Sequence, residues 1–179
     1  MRKLIESTFV SLDGVVESPQ QWALPFWGDE HRRYATQQLA DCDAFLFGRV
    51  TYEQFAASWP QRTGDPYYDR VNSLPKFVVS STLREVGWNA TVLEGEAGAA
   101  IRSLKAQSGA NIIKYGTSAL DRTLMPERLI DEIRVLVFPI VVGSGRRLYE
   151  GIDVNRLGLE LTSSKTFSNG VTALNYVVG

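Results

Sequence analysis

The chain has 179 residues, which is the size of one domain with its own hydrophobic core. Its 19 Lys and Arg residues nearly balance its 20 Asp and Glu residues, and a formal net charge of -1 gives no basic field for nucleic acid. One cysteine and one histidine allow neither an internal disulfide nor a structural zinc site, although a carboxylate site for a hard cation stays open. No apolar run reaches the length of a membrane span or a signal peptide, so we expect a cytoplasmic protein without membrane contact.

The first half of the chain alternates apolar strand runs with helix starts. In chain order, the predicted elements are a first strand ending near Phe9, a helix capped by Asp29 that runs to about Ala40, a strand from Ala44 to Phe47, a helix opened by the capping-box pattern of Thr51 and Gln54, a helix after the Asp65-Pro66 cap, and a strand from Phe77 to Val79. The strand runs lack polar alternation, which is typical of strands covered on both faces.

The second half continues this alternation and then changes character. In chain order, the predicted elements are a helix from Ala97 through Leu104 with Gly109 as its left-handed end, a strand from Ile112 to Tyr115, a short helix capped by Thr117 or Ser118 and ended by Pro126, a strand from Ile133 to Phe138, and an antiparallel hairpin around Asn169-Gly170. We therefore predict an α/β fold over residues 1–179, a three-layer sandwich. Its mixed, mostly parallel central sheet is flanked by helices and ends in an antiparallel C-terminal hairpin.

Three segments share one form, in which an apolar strand run is followed at once by glycine or hydroxyl residues and then a helix start. They are Phe47 to Thr51, Val79 to Thr82 and Tyr115 to Ser118. Ligands of open α/β sheets bind beyond the carboxyl ends of the strands, where unpaired backbone N–H groups attract phosphate. Each segment is therefore a candidate phosphate site, although each taken alone is also an ordinary capped turn.

Two arginine-containing features each have two interpretations. The Arg49 guanidinium suits a bidentate bond to phosphate, and it suits a solvent-facing position equally well. The segment Gly143 to Arg147 suits an anion-binding nest flanked by two cations, and it suits a simple tight turn equally well. The sequence contains neither a P-loop nor a dinucleotide GxGxxG motif, so those two nucleotide-binding folds are not supported.

The segment from Ser18 to Gly28 is dense in aromatic residues, among them Trp22 and Trp27. Such a segment suits a lid over a flat ring substrate, because aromatic faces stack on heterocycles and exclude water. The alternative is a loop whose tryptophans fill a groove or a dimer contact.

No residue pattern indicates a nucleophile with its base. His31 lies among charged residues at a predicted helix start, and we interpret it as a surface residue. Asp13 is interpreted as a turn residue whose carboxylate bonds backbone N–H groups, with a position at the mouth of a pocket as the alternative.

The ordered set of motifs resembles the dihydrofolate-reductase-like superfamily. Its closest branch is the reductase domain of the bifunctional riboflavin-biosynthesis deaminase-reductases, with their freestanding bacterial relatives. The motifs that carry the resemblance are Ser11-Leu12-Asp13-Gly14, Gly48-Arg49 with Thr51-Tyr52-Glu53, Ser80-Ser81-Thr82, Gly116-Thr117-Ser118 with Leu120, and Pro139 with Gly143-Ser144-Gly145. The match spans nearly the whole chain, and it rests on the order of the motifs rather than on any one of them.

The resemblance implies NADPH as hydride donor and a heterocyclic substrate beside the nicotinamide. The residues that match the family's cofactor-binding positions are Gly48, Arg49 and Thr51 for the phosphates, Ser80, Ser81 and Thr82 on the adenosine side, Gly116, Thr117, Ser118 and Ala119 in the pyrophosphate turn, and Phe9 and Val10 near the nicotinamide. It also implies a homodimer, and the hairpin residues Thr172, Leu174, Tyr176 and Val178 offer one face for it.

Three departures from the family pattern bear on function. Tyr115 replaces the first residue of the usual glycine pair, and Val50 replaces a second basic residue, so the preference for NADPH over NADH depends on Arg49. Trp27 stands where folate reductases carry their pterin-binding carboxylate, which disfavours folate reduction. Asp29 or Glu30, one turn further on, is the alternative carboxylate.

Two functions follow as hypotheses. The first is an NADPH-dependent reductase of a small heterocycle, resembling 5-amino-6-(5-phosphoribosylamino)uracil reductase, with Asp13 and Glu30 as catalytic residues and Trp22 and Trp27 as substrate-binding residues. The second is a non-catalytic module that binds a nucleotide, flavin or pterin on the same fold. This hypothesis is favoured because the sequence offers no convincing acid-base residue.

Overall fold

An eight-stranded sheet forms the centre of the fold in the computed structural model, which describes residues 1–154 and 156–179. Its strands are β1 (Leu4–Ser11), β2 (Cys42–Gly48), β3 (Lys76–Val79), β4 (Ala90–Leu93), β5 (Asn111–Tyr115), β6 (Glu132–Phe138), β7 (Leu159–Thr166) and β8 (Thr172–Val178). The predicted strand runs are thus confirmed. The short strand β4 was not predicted, because its residues are partly exposed and carry no long apolar run.

The strand order across the sheet is β4-β3-β2-β5-β1-β6-β8-β7. Strands β1 to β6 pair in parallel, whereas β8 is antiparallel to both β6 and β7. The predicted mixed sheet with an antiparallel C-terminal hairpin is therefore confirmed. One detail differs from the expectation, because β8 is paired on both sides and the exposed edge is β7.

Six helices connect the strands in the described part of the chain. They are α1 (Pro19–Trp22), α2 (Asp29–Gln38), α3 (Arg49–Ala56), α4 (Pro66–Ser73), α5 (Ala97–Ala106) and α6 (Asp121–Leu124), with a 3-10 turn at Leu24–Phe26. At the start of α4, the Asp65 carboxylate accepts the backbone N–H of Tyr67 at 2.8 Å, which confirms the predicted cap. In the described residues, no helix is both long and apolar enough to cross a bilayer.

Several predicted helix ends are shifted. Helices α2 and α3 begin directly after Gly28 and Gly48, so Asp29 and Thr51 lie inside the first turn instead of capping it. Helix α6 begins after Leu120, and the Ser118 hydroxyl accepts the backbone N–H of Leu120 at 3.3 Å in the turn that leads into the helix, as the predicted cap requires. Helix α5 ends in the extended residue Gln107, and the left-handed cap predicted further on is not formed. No side chain caps the first turn of α2 or α3, where an extended glycine precedes the helix, and helix ends commonly differ from a sequence pattern by one or two residues.

Two apolar clusters cover opposite faces of the sheet and give the three layers. Leu4 and Ile112 face α5 and α6, whereas their neighbours Ile5 and Ile113 face α2 and α4. Side chains of adjacent strand residues point to opposite faces, so both faces of these central strands are buried. A third cluster, which includes Trp22, fills the space beside β6 and β8.

Candidate active site

The parallel strands bring the three predicted phosphate segments to one edge of the sheet. Strand β2 ends at Gly48, β3 at Val79 and β5 at Tyr115, and the segments follow directly. Strand β8 begins opposite the end of β6, with Thr172 paired to Val137, so the hairpin turn lies at this edge as well. Ligands of open α/β sheets bind at this carboxyl edge. The candidate site is therefore assembled from strand ends that are distant in sequence.

A cavity of about 320 Å³ lies at the β3–β4 end of this edge. Its lining residues are Ser80, Ser81, Leu83, Arg84, Val92, Glu94 and Gly95. The Ser80 hydroxyl accepts the backbone N–H groups of Thr82 at 3.2 Å and Leu83 at 2.9 Å, and it thereby fixes the turn at the cavity wall. Sequence reasoning found the serines but missed the β4 side of the cavity, because it missed β4.

The next segment along the edge is the start of α3. Gly48 precedes the helix, and a Cβ there would lie 3.7 Å from the Ser118 hydroxyl, so the β2 and β5 turns are neighbours. Arg49 is exposed and pairs with Glu53, with an Nη1–Oε2 distance of 3.1 Å. Thr51 is half-buried in the first turn. A surface pair of this kind contributes only about 0.3–0.5 kcal/mol, so it holds the Arg49 side chain only weakly.

The turn after β5 offers open space above a left-handed glycine. Gly116 has φ +68, and a Cβ built on it would meet no atom of non-adjacent residues within 4 Å. The Arg146 guanidinium donates to Thr117, with Nη1 3.1 Å from its Oγ1 and Nη2 3.2 Å from its carbonyl oxygen. The fourth glycine-rich segment thus places a cation on this turn. These groups fit an anionic pyrophosphate.

A buried network supports the same turn from below. Lys114 Nζ lies 2.7 Å from Glu6 Oε2, 2.8 Å from Asp121 Oδ1 and 2.5 Å from the carbonyl oxygen of Gly116. Asp121 Oδ2 accepts the backbone N–H of Ser118 at 2.6 Å, and the Tyr149 hydroxyl donates to Glu6 Oε1 at 2.7 Å. All three charged side chains are at most 2% exposed. The network therefore clamps both ends of the Gly116–Ser118 turn.

Burial controls the protonation of this network. Burial raises the pKa of Glu6 above its usual value, against the opposing effect of the Lys114 charge. Burial alone would lower the pKa of Lys114, but the two carboxylates outweigh it and raise that pKa. The sequence carried a signal for the network, since Lys114 interrupts an otherwise apolar run, but nothing in it indicated the partners.

Asp13 is engaged by a neighbouring loop. Its carboxylate accepts the Ser11 hydroxyl at 2.6 Å and the backbone N–H groups of Val142 at 3.0 Å and Gly143 at 2.8 Å. These bonds, the Ser11 bond first, hold the pKa of Asp13 well below its usual range. The geometry fits the interpretation as a turn residue that holds two loops together. It does not support Asp13 as a proton donor.

A second cavity, of about 260 Å³, lies at the other end of the edge, between the start of α2 and the hairpin turn. Its lining residues are Pro25, Phe26, Trp27, Gly28, Asp29, Glu30, His31, Ser168 and Asn169. The Trp27 ring lies 6.4 Å from that of Phe9, centroid to centroid, at the end of β1. Val10 packs in the α5–α6 cluster on the opposite face of the sheet and does not join this cavity.

Glu30 lines this cavity, and among the described residues only one of its two carboxylate oxygens accepts hydrogen bonds. Its Oε2 accepts both the backbone N–H of Ser168, at 2.8 Å, and the Ser168 hydroxyl. These two bonds lower the pKa of Glu30, the hydroxyl bond having the larger effect. No hydrogen bond within residues 1–154 and 156–179 reaches Oε1. Glu30 is thus an acceptor at the cavity wall.

Trp22 occupies a different environment from Trp27. It is 6% exposed, its Nε1 donates to the Glu17 carbonyl oxygen at 2.9 Å, and its ring packs 5.4 Å from that of Phe138. The segment from Ser18 to Gly28 is helical in two short pieces and anchored by this ring. The structure therefore gives Trp22 a packing role, and it does not support direct contact of Trp22 with substrate.

The interpretation of His31 as a surface residue is wrong. His31 is 1% exposed and shares the inner face of α2 with Tyr34, Ala35 and Gln38. Its charged neighbours suggested a solvated helix start, but the side chain lies on the face that is turned to the sheet. Burial lowers the pKa of the imidazole to about 4, with a smaller opposing effect of the Phe26 carbonyl.

The folded chain resembles solved structures of one class. A putative riboflavin biosynthesis protein from Shewanella sp. PV-4 superposes with a TM-score of 0.75 at 23% identity, covering 99% of both chains. Dihydrofolate reductase from Enterococcus faecalis, complexed with NADP(H), superposes at 0.67 with 12% identity, covering 99% of this chain and 96% of that one. The fold is therefore dihydrofolate-reductase-like.

The family follows from the sequence comparison. Residues 2–173 match the RibD C-terminal domain. Two uncharacterized proteins of Bacillus subtilis (strain 168) are similar over most of their length. YyaP is 29% identical over 185 residues, covering 98% of this chain and 94% of YyaP, and YwjB is 30% identical over 179 residues, covering 98% of each. The chain belongs to the RibD C-terminal domain family, which confirms the resemblance that its motifs indicated.

A bifunctional relative is longer than this chain. The diaminohydroxyphosphoribosylaminopyrimidine deaminase/5-amino-6-(5-phosphoribosylamino)uracil reductase of Thermotoga maritima superposes with a TM-score of 0.70 at 15% identity. The match covers 99% of this chain but 57% of the Thermotoga chain. In the described part of our chain, no cluster of three or more His, Cys, Asp or Glu side chains is arranged to hold a metal ion.

Proposed function

We propose that the protein is an NADPH-dependent reductase of a small planar heterocycle, resembling 5-amino-6-(5-phosphoribosylamino)uracil reductase. One observation carries the proposal: two cavities lie at opposite ends of the carboxyl edge, and the open Gly116 turn lies between them. From β3 to β6 the edge spans four strand spacings, about 19 Å, which suits an extended dinucleotide. Membership of the RibD C-terminal domain family supports a reductase.

The residues that we propose for cofactor binding form separate groups along the carboxyl edge of the sheet. Ser80, Ser81 and Arg84 face the adenosine end, with Thr82 behind them in the same turn. Gly48, Arg49, Thr51 and the turn Gly116–Ala119 would meet the phosphates, with Arg146 as an added cation. Phe9 would pack beside the nicotinamide, which supplies the hydride when NADPH is bound. The dihydrofolate reductase that superposes on this chain is itself complexed with NADP(H).

The substrate side is the cavity beside Trp27 and Glu30. Trp27 offers an aromatic face for a flat ring, and Glu30 Oε1 offers an acceptor for a ring N–H. Both Glu30 and Asp13 have lowered pKa values and are ionised at neutral pH, so neither serves as the proton donor. The chain contributes binding, orientation and exclusion of water.

Titration with NADPH and, separately, NADH tests the cofactor assignment, with fluorescence of the four tryptophans as the signal. We expect quenching at micromolar NADPH, weakened about tenfold in Arg49→Ala through loss of a charge-assisted bond. Arg102→Ala is the matched control, because Arg102 is also exposed and ion-paired but lies on α5. Absence of binding by either dinucleotide would contradict the reductase assignment.

A non-catalytic module that binds a nucleotide, flavin or pterin is the second candidate. It is favoured by the lowered pKa values of Asp13 and Glu30, the two carboxyl groups predicted to be catalytic, because neither holds a proton at neutral pH. Oxidation of bound NADPH by any member of a panel of pyrimidine and pteridine substrates would exclude it. Tight NADPH binding with no turnover across the panel would favour it.

A further inference from the structure

The buried network beneath the Gly116–Ser118 turn holds more negative than positive charge. Its charged members are the carboxylates of Glu6 and Asp121 and the single ammonium of Lys114, each at most 2% exposed. With both carboxylates ionised, the group carries a net charge of -1 inside the core. An unbalanced buried charge is costly, and binding of a proton removes that cost. The network is therefore a site where a proton can bind.

The hydrogen bonds of the network lack one donor. Lys114 Nζ donates to Glu6 Oε2 at 2.7 Å, and the Tyr149 hydroxyl donates to Glu6 Oε1 at 2.7 Å. Asp121 Oδ1 lies 2.8 Å from Lys114 Nζ, yet no hydrogen bond of normal geometry reaches this oxygen from the part of the chain that the structure describes. Most buried polar atoms are paired. One further proton on the two carboxylates would supply the missing donor.

The elements packed around Glu6 add mostly apolar groups. Ile133 on β6 and Ile101 on α5 lie in the apolar cluster on this face, and the buried Lys105 of α5 is ion-paired with an aspartate that precedes β6. The charged residues of β6 alternate with Ile133 and point to the other face of the sheet. The remaining charged residues of α5, of α6 and of residues 146–153 are exposed, and they are Arg102, Arg122, Arg146, Arg147, Glu150 and Asp153. Burial raises the pKa of Glu6 to about 7, against the opposing charge of Lys114.

The same network is bonded directly to the turn that we propose for the cofactor pyrophosphate. Lys114 Nζ donates to the Gly116 carbonyl oxygen at 2.5 Å, and Asp121 Oδ2 accepts the Ser118 N–H at 2.6 Å. An anion bound on the outer side of this turn would lie close to both buried carboxylates. A nearby like charge disfavours the ionised form of a carboxyl group, and the low dielectric of the core strengthens this effect. A bound pyrophosphate would therefore favour protonation of the network.

We propose that the Glu6–Lys114–Asp121 network takes up a proton from solvent when a dinucleotide pyrophosphate binds to the Gly116–Ser118 turn, so that the two binding events stabilise each other. This inference rests on the proposed function and adds control of cofactor affinity by pH. The proton adds to a carboxylate oxygen of the network, and no bond of the cofactor is made or broken. The three residues are positioning residues, because they contact the turn and not the cofactor.

Isothermal titration calorimetry of the full chain with NADPH measures the proton uptake. The binding heat is compared at pH 7 in two buffers of different ionisation enthalpy, and the difference gives the number of protons taken up. If the bound anion raises the pKa of Glu6 from about 7 to about 8, the unaltered protein should take up about 0.4 proton more than Glu6→Gln. The NADPH 2′-phosphate titrates at about pH 6, and comparison of the two proteins removes its contribution.

The affinity of Glu6→Gln separates proton linkage from a purely structural role. Glutamine is neutral, as protonated Glu6 is, so we expect this variant to bind NADPH about fivefold more tightly than the unaltered protein at pH 8 and about equally at pH 6. A residue that only held the turn in shape would give weaker binding at both pH values. Glu132→Gln is the matched control, because Glu132 is also a strand carboxylate paired with cations but lies at the start of β6. Its proton uptake and affinity should equal those of the unaltered protein.

The inference is overturned if the unaltered protein and Glu6→Gln take up equal numbers of protons, or if Glu6→Gln binds NADPH no more tightly at pH 8. Should Glu6→Gln fail to fold, Asp121→Asn removes the other carboxylate of the network and decides by the same two measurements. Absence of NADPH binding overturns both proposals. Binding with equal proton uptake leaves the reductase assignment intact and removes only the proton linkage.

Discussion

His31 makes the stability of the fold depend on pH. Its imidazole has a pKa of about 4 in the folded protein, against about 6.5 in an unfolded chain, so the unfolded state binds more protons between these values. The stabilising effect of the neutral ring is complete above pH 6.5 and is lost as the pH falls to 4. The difference between the two pKa values corresponds to an effect of about 2–3 kcal/mol on the free energy of unfolding.

We expect the free energy of unfolding to fall between pH 6.5 and 4 by about 2 kcal/mol more in the unaltered protein than in His31→Phe. Urea denaturation across this pH range measures the difference between the two proteins. The comparison is needed because carboxylates with lowered pKa values, Glu30 among them, also lose stability at the acid end. If the free energies of unfolding of the two proteins fell equally between pH 6.5 and 4, the pKa of His31 would be the same in the folded and unfolded states, which would contradict this prediction.

Gly116 offers a separate test at a single residue. Alanine at φ +68 is strained by about 1 kcal/mol, and its methyl group would occupy the open space above the turn. Gly64→Ala is a matched control, because Gly64 has φ +80 and equally open surroundings in a surface loop. Both variants should lose similar stability in urea, and only Gly116→Ala should lose NADPH affinity. Equal NADPH affinity in both would remove the turn from the cofactor site.

At the scale of elements, the buried network ties β1, β5 and α6 together. Lys114→Met removes the only cation of the group and leaves Glu6 and Asp121 facing each other in the core. We expect a loss of about 3–5 kcal/mol of stability, the size typical of a broken buried ion pair. The midpoint of urea denaturation measures it. The triple variant with Glu6→Gln and Asp121→Asn should recover much of the loss, and a triple variant no more stable than the single one would contradict this account.

The sequence predicted those strands and turns that have a strong local pattern of their own. The apolar runs of β2, β5 and β6 and the Asn169-Gly170 turn each occupy a short stretch and appear where predicted. Helix starts were shifted by a few residues, because Gly28 and Gly48 preceded the residues that the rules favour as caps. His31 and the Glu6–Lys114 pair were missed for a different reason. Their surroundings come from strands more than 100 residues apart, and a local pattern carries no such information.

The whole molecule exposes an apolar face at one end of the sheet. Leu159 and Leu161 on β7 are 44% and 51% exposed, and their cross-strand partners Val178 and Tyr176 on β8 are half-buried. Edge strands of this kind are commonly covered by a second copy. The homodimer expected from the sequence thus remains our prediction, with β7 rather than β8 at the free edge.

We expect sedimentation to show a dimer for the unaltered protein and a large shift to monomer for Leu161→Lys, because a buried lysine would oppose association. Glu160→Lys is the control, since its side chain points to the opposite face of β7. Equal sedimentation of all three proteins would place any interface elsewhere. The measurement needs several protein concentrations, because association follows mass action.

The position of β1 has a consequence for synthesis on the ribosome. It precedes the other seven strands of the sheet in chain order, yet it lies inside the sheet between β5 and β6, with Leu4 opposite Ile112 and Ser11 opposite Phe138. Both of its neighbours are translated more than 100 residues later. The nascent chain therefore carries β1 unpaired until β5 and β6 have emerged, and the centre of the sheet closes only then. Long-range pairing of this kind slows folding and favours a chaperone that shields the strand until its partners arrive.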